Sequence, residues 1–299
     1  MVKAIELHGL TKTYGSARGL DELSLTVDRG EVFGYLGPNG AGKSTTIRLL
    51  LDLIRPTAGT AVVLGMDPRA DAVALHGRIG YLAGDFVAPG RQRVGAALRF
   101  LAALRGGAGA DRIDGLCERL DLDQRAQISA LSKGNRQKVG LVQAFMHQPE
   151  LLILDEPTSG LDPLAQQTFL ELAAEAAGNG QTVFMSSHIM SEVEAIADRV
   201  AIIREGRLVA LDTVAGLRAG AVRDVEVGFT GPVEAAEFAA LPGVTGVRVE
   251  ANTLRCQVTG SPDSLLRALA GHHVAALLVT EPALEDLFHS YYTGEADAA

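Results

Sequence analysis

Two kinds of apolar pattern alternate along this chain. The first is the short continuous run: Val32-Phe33-Gly34-Tyr35-Leu36, Leu151-Leu152-Ile153-Leu154 and Thr182-Val183-Phe184-Met185-Ser186-Ser187. Such runs read as strands buried on both faces, the mark of a parallel sheet covered by helices. The second is apolar spacing at three and four residues, seen over 44–51 and again over 94–147, where Gly106-Gly107-Ala108-Gly109 breaks it once. Residues 2–8, 23–36, 60–64 and 78–82 read as further strands, with Asp28-Arg29-Gly30-Glu31 as a turn inside the second stretch. The pattern predicts an α/β fold: a parallel core sheet, an antiparallel N-terminal β part, and an inserted helical subdomain at about 86–148.

The texture changes near residue 221. Val225–Phe229 reads as a strand and 232–241 as a helix. Residues 247–250 and 254–258 alternate around Ala251-Asn252-Thr253 like a hairpin. A helix over 261–269 with Ser261 as cap and Pro262 at its first position comes next, then a strand over 274–279 and a closing helix over 284–292. The order βαββαβ predicts a small ferredoxin-like α+β domain at 221–299, after a domain at 1–220. Gly216–Gly220 is the expected linker, and 294–299, small and acidic, are expected to be a disordered tail.

Composition narrows the class. The chain has 299 residues and 47% apolar positions, enough for two cores. Its 36 acidic against 27 basic residues give a net charge of −9, which argues against a nucleic-acid partner. The two cysteines, Cys117 and Cys256, form no metal-ligand spacing and no disulfide framework. No stretch is long and apolar enough for a spanning helix or a signal peptide, so a cytoplasmic chain is expected.

The chemistry lies in two motifs on the strand ends. Gly37-Pro38-Asn39-Gly40-Ala41-Gly42-Lys43-Ser44-Thr45 is a phosphate-binding loop with a strand before it and a helix after it. Gly37, Gly40 and Gly42 are expected to take positive φ and turn backbone N–H groups toward phosphate oxygens. Lys43 would meet the β- and γ-phosphates of ATP, and Ser44 would ligate Mg²⁺. Asp155 and Glu156 end an apolar strand, where Asp155 would hold Mg²⁺ and Glu156 would orient or deprotonate a water. Taken alone, Asp155-Glu156-Pro157 could equally be a solvated turn.

Leu131-Ser132-Lys133-Gly134-Asn135-Arg136-Gln137-Lys138 adds a helix start with Ser132 as N-cap, a second anion site in a chain that already has one. Ser132 and Gly134 are therefore expected to face a γ-phosphate held by another molecule. On these motifs the chain resembles the ATPase subunits of ABC transporters, over roughly residues 2–217. The usual family signature is Leu-Ser-Gly-Gly-Gln; here Lys133 replaces a glycine and Asn135 ends the motif. The resemblance implies that Tyr14 stacks on adenine, that Ser159-Gly160-Leu161-Asp162 communicates between two sites, and that His188 contacts the γ-phosphate. It implies a Gln after the strand at 78–82, where this chain has Gly84; Asp85 is expected to take part of that role.

Glu281-Pro282-Ala283-Leu284-Glu285-Asp286-Leu287-Phe288 resembles the tail of drug-exporter ATPases of the daunorubicin-resistance type, whose membrane domain is a separate polypeptide. That resemblance implies a P-loop ATPase that powers export through a separate permease, pairs with a second ATPase subunit (a homodimer), and sits peripherally on the inner face of the membrane. The tail domain is a packing module or, in a sharper reading, a ligand site, with His272-His273 a polar loop rather than a metal pair. Two rivals stand beside this reading. One is a non-transport ATPase of the same superfamily acting on ribosomes or DNA; the other is a small-molecule P-loop kinase, in which the 131–138 segment has no purpose.

Overall fold

The computed structural model describes residues 2–15, 17–86, 91–219 and 222–280. Two compact units emerge, 1–212 and 213–299. The first opens with β1 (Lys3–Tyr14), β2 (Ala17–Asp28) and β3 (Val32–Leu36), then α1 (Lys43–Leu50), β4 (Ala58–Val63), α2 (Ala72–Gly77) and β5 (Ile79–Leu82). Helices α3 (Val94–Leu104), α4 (Ile113–Arg119) and α5 (Lys133–Phe145) come next. The unit then alternates through β6 (Leu151–Asp155), α6 (Pro163–Gly178), β7 (Thr182–Ser187), α7 (Met190–Glu194), β8 (Arg199–Arg204) and β9 (Arg207–Thr213).

The apolar runs become the sheet they predict. β3, β6 and β7 are buried at every residue. They occupy the middle of a six-stranded sheet of order β5-β6-β7-β3-β8-β9, in which β5–β6, β6–β7, β7–β3 and β3–β8 pair in parallel. Phe33 of β3 stacks on Phe184 of β7 with ring centroids 5.8 Å apart. Tyr35 Oη lies 2.9 Å from Thr46 Oγ1 and ties α1 to the sheet; burial pushes this phenol's pKa up. A second sheet, β2-β1-β4, is antiparallel throughout. Its strands outrun the expectation: 2–8 extends to Tyr14, and the hairpin partner begins at Ala17.

Five elements, α2, α6, α7, β8 and β9, lie outside the pattern read from the sequence. α2 and α7 are short, but the others carry a signal: Asp162 before Pro163 and apolar residues at helical spacing for α6, and Glu205-Gly206 as a turn between the apolar runs 200–203 and 208–211 for β8 and β9. Asp162 Oδ1 accepts the Ala165 N–H at 2.9 Å, a filled N-cap.

The second unit begins with α8 (Val214–Ala219), then β10 (Val222–Phe229), α9 (Ala235–Ala239), β11 (Val244–Glu250), β12 (Thr253–Thr259), α10 (Asp263–Leu269) and β13 (Val274–Thr280). The sheet order β11-β12-β10-β13, antiparallel at each pairing, is the ferredoxin-like arrangement. Its core is Val225, Val227, Phe229, Phe238, Leu254, Val258, Leu265 and Leu269. Three details differ from expectation. The expected linker, 216–220, is largely the helix α8. α9 is shorter than 232–241, and α10 starts at Asp263 with Pro262 as its N-cap residue. Ser261 caps no helix; its Oγ accepts the Asp263 N–H at 3.3 Å as a local turn. The expected helix at 284–292 and tail at 294–299 lie outside the described residues.

Both cysteines are buried and free. Burial pushes the Cys117 thiol up to about 11 and raises that of Cys256.

Candidate functional site

Parallel pairing puts the carboxyl ends of β5, β6, β7 and β3 on one edge of the sheet, side by side. The segments leaving these strand ends therefore converge: Gly84 after β5, Glu156 after β6, His188 after β7, and the 37–42 loop after β3.

The loop is shaped by its glycines. Gly40 (φ 83) and Gly42 (φ 109) are left-handed, and Gly42 is the N-cap position of α1, with no side chain capping the helix. The N–H groups of the first turn of α1 are thus left for a ligand. Gly37 is a correction: it does not take positive φ. It is glycine for space, since a Cβ there would lie 2.7 Å from the Ile203 carbonyl oxygen and 2.9 Å from the Ala41 Cβ. Asn39 and Gly40 are exposed, while Pro38, Ser44 and Thr45 are partly so. Lys43 is only 6% exposed; its Nζ donates to the Gly37 carbonyl at 2.6 Å and to that of Pro38 at 3.3 Å. The ammonium is thus folded into the loop, where an anion gripped by the backbone would meet it.

The acidic pair is placed against this lysine. Glu156 Oε1 lies 3.1 Å from Lys43 Nζ, and Glu156 Oε2 lies 2.6 Å from His188 Nδ1. Oε1 is buried and accepts no hydrogen bond of good geometry among the described residues. Asp155 is buried; the Ser186 hydroxyl donates to its Oδ1 at 2.6 Å. Its Oδ2 faces Gly84, where a Cβ would lie 3.3 Å away. A buried carboxylate with one oxygen still open, beside a hydroxyl-bearing loop, fits a hard divalent cation such as Mg²⁺. Asp85, the expected substitute at the missing Gln, is exposed and makes no hydrogen bond or ion pair among the described residues.

Tyr14 closes the other side. It is 47% exposed, with Lys12 Nζ 5.2 Å from its ring centroid. Beneath it lies Gly19, whose carbonyl oxygen a Cβ on Gly42 would approach to 2.8 Å. A ring that stands over the backbone beside the phosphate loop is well placed to stack on a nucleotide base.

The 131–138 segment opens α5 as expected. Ser132 is the N-cap, and its Oγ accepts the Asn135 N–H at 3.2 Å. That bond uses the hydroxyl's lone pair and leaves its proton to donate outward. Ser132 is exposed. Gly134 is required within the chain as well: a Cβ there would collide with the Gly160 carbonyl. Lys133 Nζ donates to Ser159 Oγ at 3.1 Å, so the signature segment and the 159–162 turn are packed together. Two further contacts were not legible in the sequence. Gln137 Nε2 donates to the carbonyls of Glu156 and Pro157, each at 3.1 Å. The Glu156 N–H donates to Ser186 Oγ at 3.1 Å and to the Ser186 carbonyl at 3.2 Å.

Comparison with known proteins gives the family. The family described as ABC transporter matches residues 20–159. The probable multidrug ABC transporter ATP-binding protein YbhF of Escherichia coli (strain K12) is 38% identical over 225 residues, 74% of this chain. The match spans only 39% of that longer protein. The daunorubicin resistance ATP-binding protein DrrA3 of Streptomyces coeruleorubidus is 37% identical over 303 residues, 95% of this chain and 94% of that protein. This chain belongs to the ATP-binding subunits of ABC transporters. A solved ATP-binding subunit of an ABC transporter superposes with a TM-score of 0.68 at 31% identity, over 72% of this chain and 92% of that one. The chain is thus an ABC ATPase by sequence and by fold, and these relatives, named for transport, lend nothing to a ribosome- or DNA-directed role. Among the described residues no helix of this ABC ATPase is long and apolar enough to cross a membrane.

Proposed function

We propose that this ABC ATPase binds ATP with Mg²⁺ and hydrolyses it to power export through a separate permease. The observation that carries the reading is the meeting of Lys43, Glu156 and His188 at the mouth of the phosphate loop. Gly40, Gly42 and the uncapped start of α1 would cradle the phosphates, with Tyr14 on the adenine. Ser44 and Asp155 would hold Mg²⁺, which supplies charge neutralisation for the phosphates. Glu156, once Lys43 turns to the γ-phosphate, accepts a proton from the attacking water. The water oxygen bonds to the γ-phosphorus, the β–γ bridging P–O bond breaks, and ADP and phosphate leave. His188 Nδ1–H donates to the ionised Glu156, fixing the carboxylate and leaving the other ring nitrogen for the γ-phosphate. Asp85 takes part of the role of the missing Gln, so Asp85→Ala would lower turnover and change its Mg²⁺ dependence.

Two copies would meet about a two-fold axis, each phosphate loop facing Ser132, Gly134 and Asn135 of the other. Loss of the γ-phosphate contact then lets the pair open, and the helical subdomain passes the motion to the permease. The export direction rests on the likeness to daunorubicin-resistance and multidrug ATP-binding proteins. The chain would then work at the inner face of the cell membrane as a homodimer, with 1–220 as the ATPase domain and 221–299 as an accessory domain. Incubation of the purified chain with ATP and Mg²⁺ tests the reading. Phosphate should be released into water without any acceptor; transfer only to an added small molecule would point to a kinase instead.

A further inference from the structure

Glu156 is held in an uncommon state. Its φ is 48°, the left-handed region, which a side-chain-bearing residue occupies only when its surroundings compel it. The compelling groups are few. From β7, Ser186 takes the Glu156 N–H on both its hydroxyl and its carbonyl. From the next turn, the Ser159 N–H donates to the Glu156 carbonyl at 3.1 Å. From α5, Gln137 donates to that same carbonyl and to the carbonyl of Pro157. Gln137 is 4% exposed, so its amide is committed to this one task.

Gln137 stands five positions beyond Ser132, on the helix that Ser132 caps. One end of α5 thus faces outward, while its second turn grips the backbone of the glutamate in the chain's own site. We propose that Gln137 is a positioning residue that couples the two sites. Engagement of Ser132 by the nucleotide of a second copy moves α5, and Gln137 carries that movement to the peptide on which the Glu156 carboxylate is mounted. Hydrolysis in each site then depends on occupancy of the other, with this buried amide as the direct link from α5 to Glu156. The inference rests on the reading of Ser132 and Glu156 as the two halves of a shared ATP site.

The test compares turnover of the full chain and its variants. Gln137→Met keeps length and volume but removes the donor. It should lower kcat by roughly 10- to 100-fold, the effect of a small misplacement of a reacting group, and flatten the cooperativity of ATP hydrolysis while KM changes little. Combined with Glu156→Gln it should add no further loss, because its whole effect passes through Glu156. Multiplicative losses in the double variant, or an unaltered kcat in Gln137→Met, would overturn the proposal. Gln137→Glu serves if the Met variant does not fold: only its protonated carboxyl can donate, so its kcat relative to the parent should rise toward acid pH. A flat ratio would count against the proposal. If Glu156→Gln alone keeps full turnover, the reading of the site has failed; if only the Gln137 variants behave as the parent, the coupling alone has failed.

Discussion

At the scale of single residues, the site works through short reach and tight placement. Lys43 spends its ammonium on two loop carbonyls and on Glu156, so the loop is closed around a positive charge. Lys43→Ala should therefore abolish ATP binding, measured by titration with a fluorescent ATP analogue; retained affinity would refute the loop's role. Glu156→Gln should leave binding intact and slow turnover by roughly 10²–10⁴, the usual worth of a general base, in a phosphate-release assay. The places of Lys43 and Glu156, and the roles proposed for them, are legible in the sequence because a local motif fixes each position. Ser186 and Gln137 are not, because their work is done across strands and helices far apart in the chain. Gly37 shows a further limit: its motif position is legible, but only the neighbouring Ile203 carbonyl reveals that it is needed for space rather than for φ.

At the scale of elements, α5 contributes to stability through its N-cap and, in the proposed function, to the shared site. Ser132→Ala removes an N-cap and should cost about 1 kcal/mol of stability, along with turnover. Ser132→Asp keeps the cap yet sets a negative charge against a phosphate. It should unfold thermally near the parent's midpoint while losing ATP hydrolysis, which separates cap from contact. The end of the same helix leads to His147, whose Nε2 lies 3.1 Å from the Ile79 carbonyl and whose Nδ1 is buried without a hydrogen-bond partner among the described residues. Burial, with Arg105 nearby, holds this imidazole below its ordinary value of 6.5. The unfolded chain then takes up the proton first as pH falls. The stability that the neutral ring contributes is present above about 6.5 and declines as pH drops toward the folded-state value. Unfolding midpoints at pH 7.5 and 5.5 should differ less in His147→Gln, which can keep the bond to Ile79.

The elements themselves were readable in proportion to their pattern. β3, β6 and β7 are continuous apolar runs and lie where such runs must, at the centre of a parallel sheet. β9 is half-exposed and polar at one end, with an apolar run of only 208–211, and α6 buries Ala165, Phe169, Leu172, Ala173 and Ala176 at helical spacing but with small alanines for most of that face, so each pattern is weaker than a central strand's. α9 fell short of its expected length because Pro232 and Val233 precede the helix and its first turn begins after Glu234.

At the scale of the whole molecule, one chain supplies half of each proposed site. Mixed with ATP, the Glu156→Gln chain should sediment as a dimer, since ATP bridges the copies and is not turned over; the Lys43→Ala chain under the same conditions should remain monomeric. A Glu156→Gln chain that stays monomeric at saturating ATP would remove the shared-site arrangement.

The state of the two thiols decides how such motions can be watched. Cys117 and Cys256 are both sealed inside and poorly ionised at neutral pH, and the sequence holds no others. Maleimide reagents attack the thiolate, so the parent chain should stay almost unlabelled. A cysteine placed at exposed Val73, away from the proposed site, would be the fast-reacting thiol of its chain, and a spin or fluorescent label there would report distances across a closing pair without first stripping the native cysteines.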